Sequence, residues 1–277
     1  MKHRPEIFFH VGLGKVASTY LQYQFFPKLQ GIRYIQRTRY RHSPRLIARS
    51  QARRILVSRE FDRQLEEEVR WFSGYFHDVR PILLLRPHGS WIASQYRRWI
   101  KNGRPDSFQD FFDIEGDTGH WKHKDGLFYP KIEALEAAFD HPPLVLFYEE
   151  LRRDPWSFFD RLSNYMGATY DRSAISLEPQ HRSYTQRELL FLRRASPHFH
   201  NPHRNPSSNP VLRTVQRYAR LLTVYSVMAA SHLLPSSSIP CEPLIPPGAL
   251  EAIDQAYRED WQACLRYAAR QAKPAAS

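Results

Sequence analysis

Short apolar runs alternate with longer amphipathic segments over the first 170 residues of the chain. Four of the runs are bounded by polar residues or glycine and predict buried strands at 7–11, 54–58, 81–86 and 144–148. The intervening segments predict helices at about 17–29, 61–76, 88–101, 130–140 and 155–167. Apolar strands that alternate with helices indicate an α/β fold, a parallel β-sheet flanked by helices, in which ligands bind at the carboxyl ends of the strands.

The pattern changes beyond residue 170, where prolines surround a long amphipathic segment. We predict a helix over about 211–234 and a last one over about 249–270. The apolar face of the first is formed by Leu212, Val215, Ala219, Leu222, Ser226, Ala229 and Leu233. Such a helix is typical of a lid or a core element, and membrane-surface contact through 211–234 is the alternative. We therefore expect one domain over 1–277, with an α/β core at 5–170 and a mostly helical C-terminal extension or lid at 171–277.

Composition excludes several classes of protein. The chain has 277 residues, of which 42% are hydrophobic and 14% aromatic, so global disorder is excluded. Its two cysteines, Cys241 and Cys264, supply neither a disulfide framework nor a conventional zinc site. The first residues lack the pattern of a signal peptide, and no apolar run approaches the ~18 residues of a spanning helix. We expect a cytoplasmic protein.

Positive charge is concentrated in one block. Lys+Arg 40 against Asp+Glu 28 gives a net charge of +12, and residues 31–60 contribute nine arginines and a single acid, Glu60. The arginines are Arg33, Arg37, Arg39, Arg41, Arg45, Arg49, Arg53, Arg54 and Arg59. This block is expected to attract an anion such as a nucleic acid, an anionic lipid or a polyanionic glycan. A solvated arginine-rich helix face is the alternative.

A glycine-rich turn joins the first strand to the first helix: Gly12-Leu13-Gly14-Lys15-Val16-Ala17-Ser18-Thr19. Its glycines let backbone N–H groups face an anion, and its lysine and hydroxyls add donors. It departs from the P-loop pattern GxxxxGK[ST], because Phe9 stands at the first glycine and Val16 replaces the hydroxyl that binds Mg²⁺. The turn predicts a phosphate or sulfate site that works without magnesium, and a structural turn that caps a helix is the alternative.

A second candidate anion site follows the strand at 81–86. Arg86 ends the strand, and Ser94 lies within the next helix. An arginine suits phosphate because its planar fork donates two parallel hydrogen bonds, and a serine can donate a third. Taken alone, the pair is better explained as a solvated arginine and a buried serine. Two anion sites at the ends of two parallel strands instead indicate a nucleotide with phosphates at its 5′ and 3′ positions.

These motifs resemble those of the sulfotransferases that use 3′-phosphoadenosine 5′-phosphosulfate (PAPS). Residues 8–19 are similar to the family's 5′-phosphosulfate loop, and 86–94 to its 3′-phosphate motif. The segment 144–167 is similar to a later family motif, and the resemblance covers about residues 5–170. It is closer to bacterial and glycan-type members than to the cytosolic animal enzymes.

The sequence departs from the family pattern at two places. Val16-Ala17 stands where Thr/Ser-Gly is usual, and His88 where an acid or a small residue is common.

The resemblance implies a P-loop-like sulfotransferase fold with PAPS as co-substrate, adenosine 3′,5′-bisphosphate (PAP) as product, and no metal. It implies that the nucleotide is bound by Gly12, Gly14, Lys15, Ala17, Ser18, Thr19, Arg86, Ser94 and, less directly, Arg182.

Two residues are predicted to carry the chemistry. Lys15 is the natural cation for the leaving phosphate oxygen. Glu60 ends the strand that precedes Arg86, where the family has its catalytic base, and it resembles the corresponding glutamate of bacterial members. The alternative for Glu60 is a surface ion pair with Arg59 or Arg63.

The predicted function is transfer of a sulfuryl group from PAPS to a hydroxyl or amine of an acceptor such as a glycan, a lipid or a small metabolite. Anionic acceptors are included because of the arginine block. One alternative is a P-loop-type small-molecule kinase, which requires a magnesium-binding hydroxyl and aspartate that the sequence does not show. The other is a nucleic-acid-binding protein that uses the block at 31–60, although no nucleic acid is expected. The acceptor and the oligomeric state stay open.

Overall fold

The computed structural model describes residues 4–178, 184–199, 207–235 and 242–272. The chain divides into two compact units that are interleaved along the sequence. The described part of the first unit comprises 4–91, 124–178 and 256–272. The described part of the second comprises 92–123, 184–199, 207–235 and 242–255.

A five-stranded sheet forms the centre of the first unit. Its strands are β1 (Glu6–His10), β2 (Arg33–Ile35), β3 (Arg54–Ser58), β4 (Val79–Leu85) and β5 (Leu144–Phe147). They lie in the order β2-β3-β1-β4-β5, and every neighbouring pair is parallel. In register, His10 at the end of β1 lies opposite Ser58 on one side and Ile82 on the other. The predicted α/β class with a parallel sheet is therefore confirmed.

Helices cover the sheet within the first unit. They are α1 (Ser18–Tyr20), α2 (Ser43–Ala48), α3 (Leu65–Ser73), α7 (Tyr129–Ala138), α8 (Tyr148–Arg153), α9 (Pro155–Tyr165) and α13 (Arg258–Ala272). The amphipathic pattern predicted for α3 is confirmed, because Leu65, Val69 and Phe72 are buried. Asp154 caps α9 by accepting a hydrogen bond from the Ser157 N–H, which satisfies a donor of the first turn.

Helix α4 (His88–Lys101) begins in the first unit and continues into the second. The short α6 (His123–Gly126) also spans a boundary between the two. The second unit is helical in its described part, with α5 (Phe108–Phe111), α10 (Gln186–Ala195), α11 (Pro210–Ala230) and α12 (Ala249–Ala256), whose last residue belongs to the first unit. All the regular elements described after residue 171 are α-helices or 3₁₀ turns, and none is a strand. The prediction of a mostly helical C-terminal region is therefore confirmed.

Two predicted helices are divided in the structure, the helix predicted at 61–76 is shorter (Leu65–Ser73), and one strand was not predicted. The helix predicted at 17–29 is α1 followed by a π-helical turn, Leu21–Phe25, and a 3₁₀ turn, Phe26–Lys28, which contains Pro27. The helix predicted at 249–270 is interrupted between α12 and α13. Strand β2 was not predicted, because it is short and lies at a sheet edge within the arginine-rich block.

Among the residues that the structure describes, no helix is both long enough and apolar enough to cross a membrane.

Candidate functional site

The turn after β1 has a strained backbone. Lys15 and Ala17 adopt left-handed conformations, with φ of 72° and 66°. A residue with a Cβ adopts this region at a cost of roughly 1–2 kcal/mol. Gly12 allows the close packing beneath, because a Cβ there would lie 2.5 Å from both His10 Nε2 and Ser18 Oγ. Ala17 thus keeps the conformation that a glycine would favour, although the family's glycine is absent.

A buried polar cluster lies beneath this turn. His10 has no exposed surface, and its Nδ1 lies 2.8 Å from Ser58 Oγ, which also accepts a hydrogen bond of 3.0 Å from Gln22 Nε2. Burial lowers the pKa of His10 to about 3, so the imidazole is neutral at pH 7. The ring therefore supports the turn at Gly12 without adding charge under it.

Two carboxylates that follow β3 reach the turn. Thr19 Oγ1 donates a hydrogen bond of 3.2 Å to Glu60 Oε1, and the Gly14 N–H donates one of 2.9 Å to Asp62 Oδ1. Both carboxylates are partly exposed. The structure thus brings Glu60 to the turn at Thr19, a residue assigned to the nucleotide. Asp62 was not predicted, since a second acid after a strand does not by itself indicate which side chain turns toward the loop.

Arg86, at the end of β4, contacts the turn as well. Its Nη1 donates to the carbonyl oxygen of Lys15 at 3.4 Å, and its Nε donates to Ser90 Oγ at 2.8 Å. Its guanidinium carbon lies 4.6 Å from the centroid of the Tyr148 ring, which follows β5. The carboxyl ends of β1, β3, β4 and β5 therefore converge on the segment around Lys15.

The start of helix α4 completes the neighbourhood of Arg86. Ser90 is the serine that bonds its guanidinium, whereas Ser94 is a half-buried residue of the second unit. Trp91 is fully buried and donates from Nε1 to the carbonyl oxygen of Gly14 at 2.9 Å, which fixes the turn to the start of α4. Arg182 lies outside the described residues.

His88, a departure from the family pattern, is explained by its surroundings. Its Nε2 lies 3.0 Å from Asp260 Oδ2, and its ring stacks on Phe128 and Tyr257 at 4.2 and 4.6 Å between centroids. Asp260 also accepts from the N–H groups of Phe128 and Tyr129. Burial alone would raise the pKa of the Asp260 carboxyl, but these hydrogen bonds hold it below its ordinary value. His88 therefore anchors α13 to the start of α4.

The arginine block does not form a single helix face. Its members lie on β2, a 3₁₀ turn, α2, β3 and the loops between and after them, and most of them are exposed. Some make structural contacts: Arg41 pairs with Glu68 at 2.5 Å, and Arg54 with Glu6 at 3.1 Å. Arg59 directly precedes Glu60 and donates from Nη1 to the carbonyl oxygen of Arg37 at 3.2 Å. Part of the positive charge thus lies next to the candidate base.

In the described parts of the chain, no group of three or more His, Cys, Asp and Glu side chains is arranged to hold a metal ion.

Comparison with known proteins gave matches among solved structures. No family model matches the chain, and no curated protein does. Similar solved structures include a sulfotransferase from Alicyclobacillus acidocaldarius, with 15% identity over 85% of this chain and 98% of that one and a TM-score of 0.48. They also include mouse sulfotransferase SULT7A1 complexed with PAP, with 14% identity over 97% of this chain and 90% of that one and a TM-score of 0.44. Both carry the name of the class that the motifs resemble, but likenesses this weak leave the function to be argued from the chain's own residues.

Proposed function

We propose that this protein is a sulfotransferase that moves a sulfuryl group from PAPS to a hydroxyl or amine of an acceptor. The observation that carries the proposal is the convergence of three predicted residues at one edge of the sheet. Arg86 donates to the Lys15 carbonyl oxygen at 3.4 Å, and Glu60 accepts from Thr19 of the same turn at 3.2 Å. A carboxylate and a guanidinium therefore both contact the turn that carries Lys15.

The residues of this edge fit a nucleotide that carries two phosphate groups. The turn carries a lysine, the Thr19 hydroxyl and positive-φ backbone, which together suit the 5′-phosphosulfate. Ser18 is buried and donates from Oγ to the carbonyl oxygen of Leu13 at 2.9 Å, so it supports the turn from within. Arg86 supplies a guanidinium for the 3′-phosphate, with the Ser90 hydroxyl held against it at 2.8 Å. Ser94 and Arg182 stay candidates for the same phosphate.

The proposed transfer needs positioning, charge stabilisation and a base. The acceptor oxygen or nitrogen forms a bond to sulfur while the bond from sulfur to the 5′-phosphate oxygen breaks in line. Lys15 stabilises the charge left on that phosphate oxygen. Glu60 takes the proton that the acceptor loses, and PAP leaves with the sulfated acceptor as the second product.

The kinase alternative is disfavoured by Val16. This side chain is fully buried and apolar, and it stands where a P-loop places the hydroxyl that binds Mg²⁺. A transfer that relies on Lys15 instead of a magnesium ion is consistent with that replacement.

An anionic acceptor is consistent with the charge beside Glu60. Arg59 is exposed and adjacent to Glu60, and its neighbour Arg37 lies 5.5 Å from the centroid of the Tyr23 ring. We therefore include an acidic glycan, an anionic lipid and an anionic metabolite in the acceptor class.

Thermal unfolding with PAP in the presence of EDTA tests donor binding. A ligand at 100 times its Kd stabilises by about 2.7 kcal/mol, which raises the Tm of a chain of this size by roughly 5–10 °C. Arg86→Ala should abolish the rise. Arg80→Ala is the matched control, because Arg80 lies on the same strand and pairs with Glu6 at 3.4 Å instead of facing the turn.

A rise that appears only with ATP and Mg²⁺ would show that the family assignment is wrong. No rise with either nucleotide would contradict both nucleotide-dependent functions.

Catalysis is tested separately from binding. Glu60→Gln should keep the rise in Tm with PAP. In an acceptor screen, it should slow the formation of PAP from PAPS by roughly 10²-fold or more. Glu67→Gln, on the exposed surface of α3, should leave both unchanged.

A further inference from the structure

Helix α11 leaves most of one face exposed in the described chain. From Val211 to Arg220 every side chain is exposed except the half-buried Gln216. The buried side chains Val224 and Met228 lie in the other half of the helix, and Arg220 donates a hydrogen bond to the carbonyl oxygen of Asn102. Tyr225, at the end of the exposed face, has its hydroxyl 3.4 Å from that of Tyr184. Because an isolated helix is only marginally stable in water, a helix with so little packing needs a further contact.

The exposed face has a regular apolar stripe, which we call the α11 stripe. It consists of Val211, Val215, Tyr218, Leu222 and Tyr225, which are 70%, 56%, 67%, 69% and 45% exposed. The spacing alternates between four and three residues. This is the repeat of a coiled-coil seam, where two helices bury one narrow stripe against each other.

The distribution of charge favours a second helix of the same kind over a membrane. Helix α11 contains Arg213, Arg217 and Arg220 and no acid, and at 3.6 residues per turn these arginines lie on the side away from the stripe. The positions that flank the stripe are uncharged: Leu212, Thr214, Ala219, Leu221, Ser226 and Met228. Two copies can therefore bring their stripes together without bringing like charges together. A helix on an anionic membrane instead places its cations beside the apolar face, where they reach the headgroups.

The size of the stripe suits a dimer. The exposed fractions of these side chains correspond to apolar surface on the order of 500 Å² per chain. Two copies would bury about 1,000 Å² through the stripe alone, which is about the minimum for a biological interface. Leu212 and Leu233, 48% and 87% exposed, extend the surface further.

We propose that α11 of one copy pairs with α11 of a second copy of this chain, so that the protein is a dimer held through the α11 stripe. The proposal does not depend on the reaction that the first unit catalyses.

Light scattering coupled to size-exclusion chromatography, repeated across the micromolar concentration range, tests the dimer. The measured mass should rise with concentration from 32.8 kDa toward twice that value. Leu222→Glu should remain at the monomer mass throughout, because it places a charge in the seam. Thr223→Glu is the matched control, since Thr223 is exposed on the same helix but outside the stripe, and it should dimerise like the wild type. At a concentration where the wild type is monomeric, both variants should unfold within a degree or two of it because both positions are exposed.

Two outcomes would overturn the proposal. One is a wild-type protein that stays monomeric at every concentration, and the other is a dimer that persists in Leu222→Glu. Co-sedimentation with phosphatidylserine-containing vesicles tests the main alternative, in which the α11 stripe binds a membrane surface. A monomeric wild type that sediments with these vesicles, when Leu222→Glu does not, would assign the stripe to a membrane surface.

Discussion

The backbone at Ala17 stores strain that a single substitution can release. Ala17 has φ 66° and ψ 12°, where a side chain costs roughly 1–2 kcal/mol. Ala17→Gly removes that cost but adds about 0.5–1 kcal/mol of backbone entropy to the unfolded chain. We expect a net increase of about 0.5–1 kcal/mol in the free energy of unfolding, measured by urea denaturation.

The matched control for this substitution is Ala252→Gly. Ala252 is exposed within α12, so glycine there should lower the free energy of unfolding by about 1 kcal/mol. If both variants were destabilised equally, the left-handed conformation of Ala17 would not be a source of strain.

At the scale of residues, the sequence predicted those members of the site that directly follow a predicted strand or its glycine turn. Lys15 follows a glycine after a strand, and Glu60 and Arg86 each follow another strand. Asp62 and Ser90 have equally simple positions, but their role depends on which way the chain turns after β3 and β4. His10 lies inside an apolar run, and its partner Ser58 is adjacent only through the register of β1 and β3.

At the scale of elements, the buried strands were predicted within two residues of their bounds, because continuous apolar runs report burial on both faces of a sheet. The helix predicted at 211–234 exists as α11 and the 3₁₀ turn that follows, but most of its predicted apolar face is exposed. Val224 and Met228 are buried instead. Periodicity shows that a helix has an apolar face and does not show what that face contacts.

The link between α4 and α13 is expected to be a major source of stability in the first unit. Asp260 accepts hydrogen bonds from His88 and from the N–H groups of Phe128 and Tyr129. Asp260→Ala leaves all three buried groups without this acceptor, so the free energy of unfolding should fall by about 3–5 kcal/mol in urea denaturation. Glu259→Ala, at an exposed neighbouring position, should change it by less than about 0.5 kcal/mol.

This contribution should also depend on pH with a definite sign. The pKa of Asp260 is lower in the folded protein than its ordinary value, so the stabilisation is present above the ordinary pKa and is lost as the pH falls through the folded one. The difference between wild type and Asp260→Ala should therefore narrow in acid. A difference that stayed below 1 kcal/mol at neutral pH would contradict the anchoring role of His88 and Asp260.

At the scale of the whole molecule, a net charge of +12 accompanies a site proposed for a polyanionic donor. The arginines of the block at 31–60 are spread over four elements of the first unit and their loops, so their effect is a broad positive potential and not a single binding face. Such a potential accelerates encounter with an anion and is screened over about 8–10 Å at physiological salt. It therefore affects the rate of association more than the stability of the bound complex.

Stopped-flow measurement of PAP binding separates these two contributions. Raising the salt concentration should slow association of the wild type about tenfold and leave dissociation nearly unchanged. A triple variant with Arg39, Arg45 and Arg49 each changed to Ala, all exposed members of the block, should associate more slowly at low salt and respond less to added salt. The matched control removes the same charge from exposed positions of the second unit, at Arg194, Arg213 and Arg217. If the two triple variants lost the same fraction of the association rate, net charge alone would account for the effect. A larger loss in the first variant would assign the steering to the arginine block.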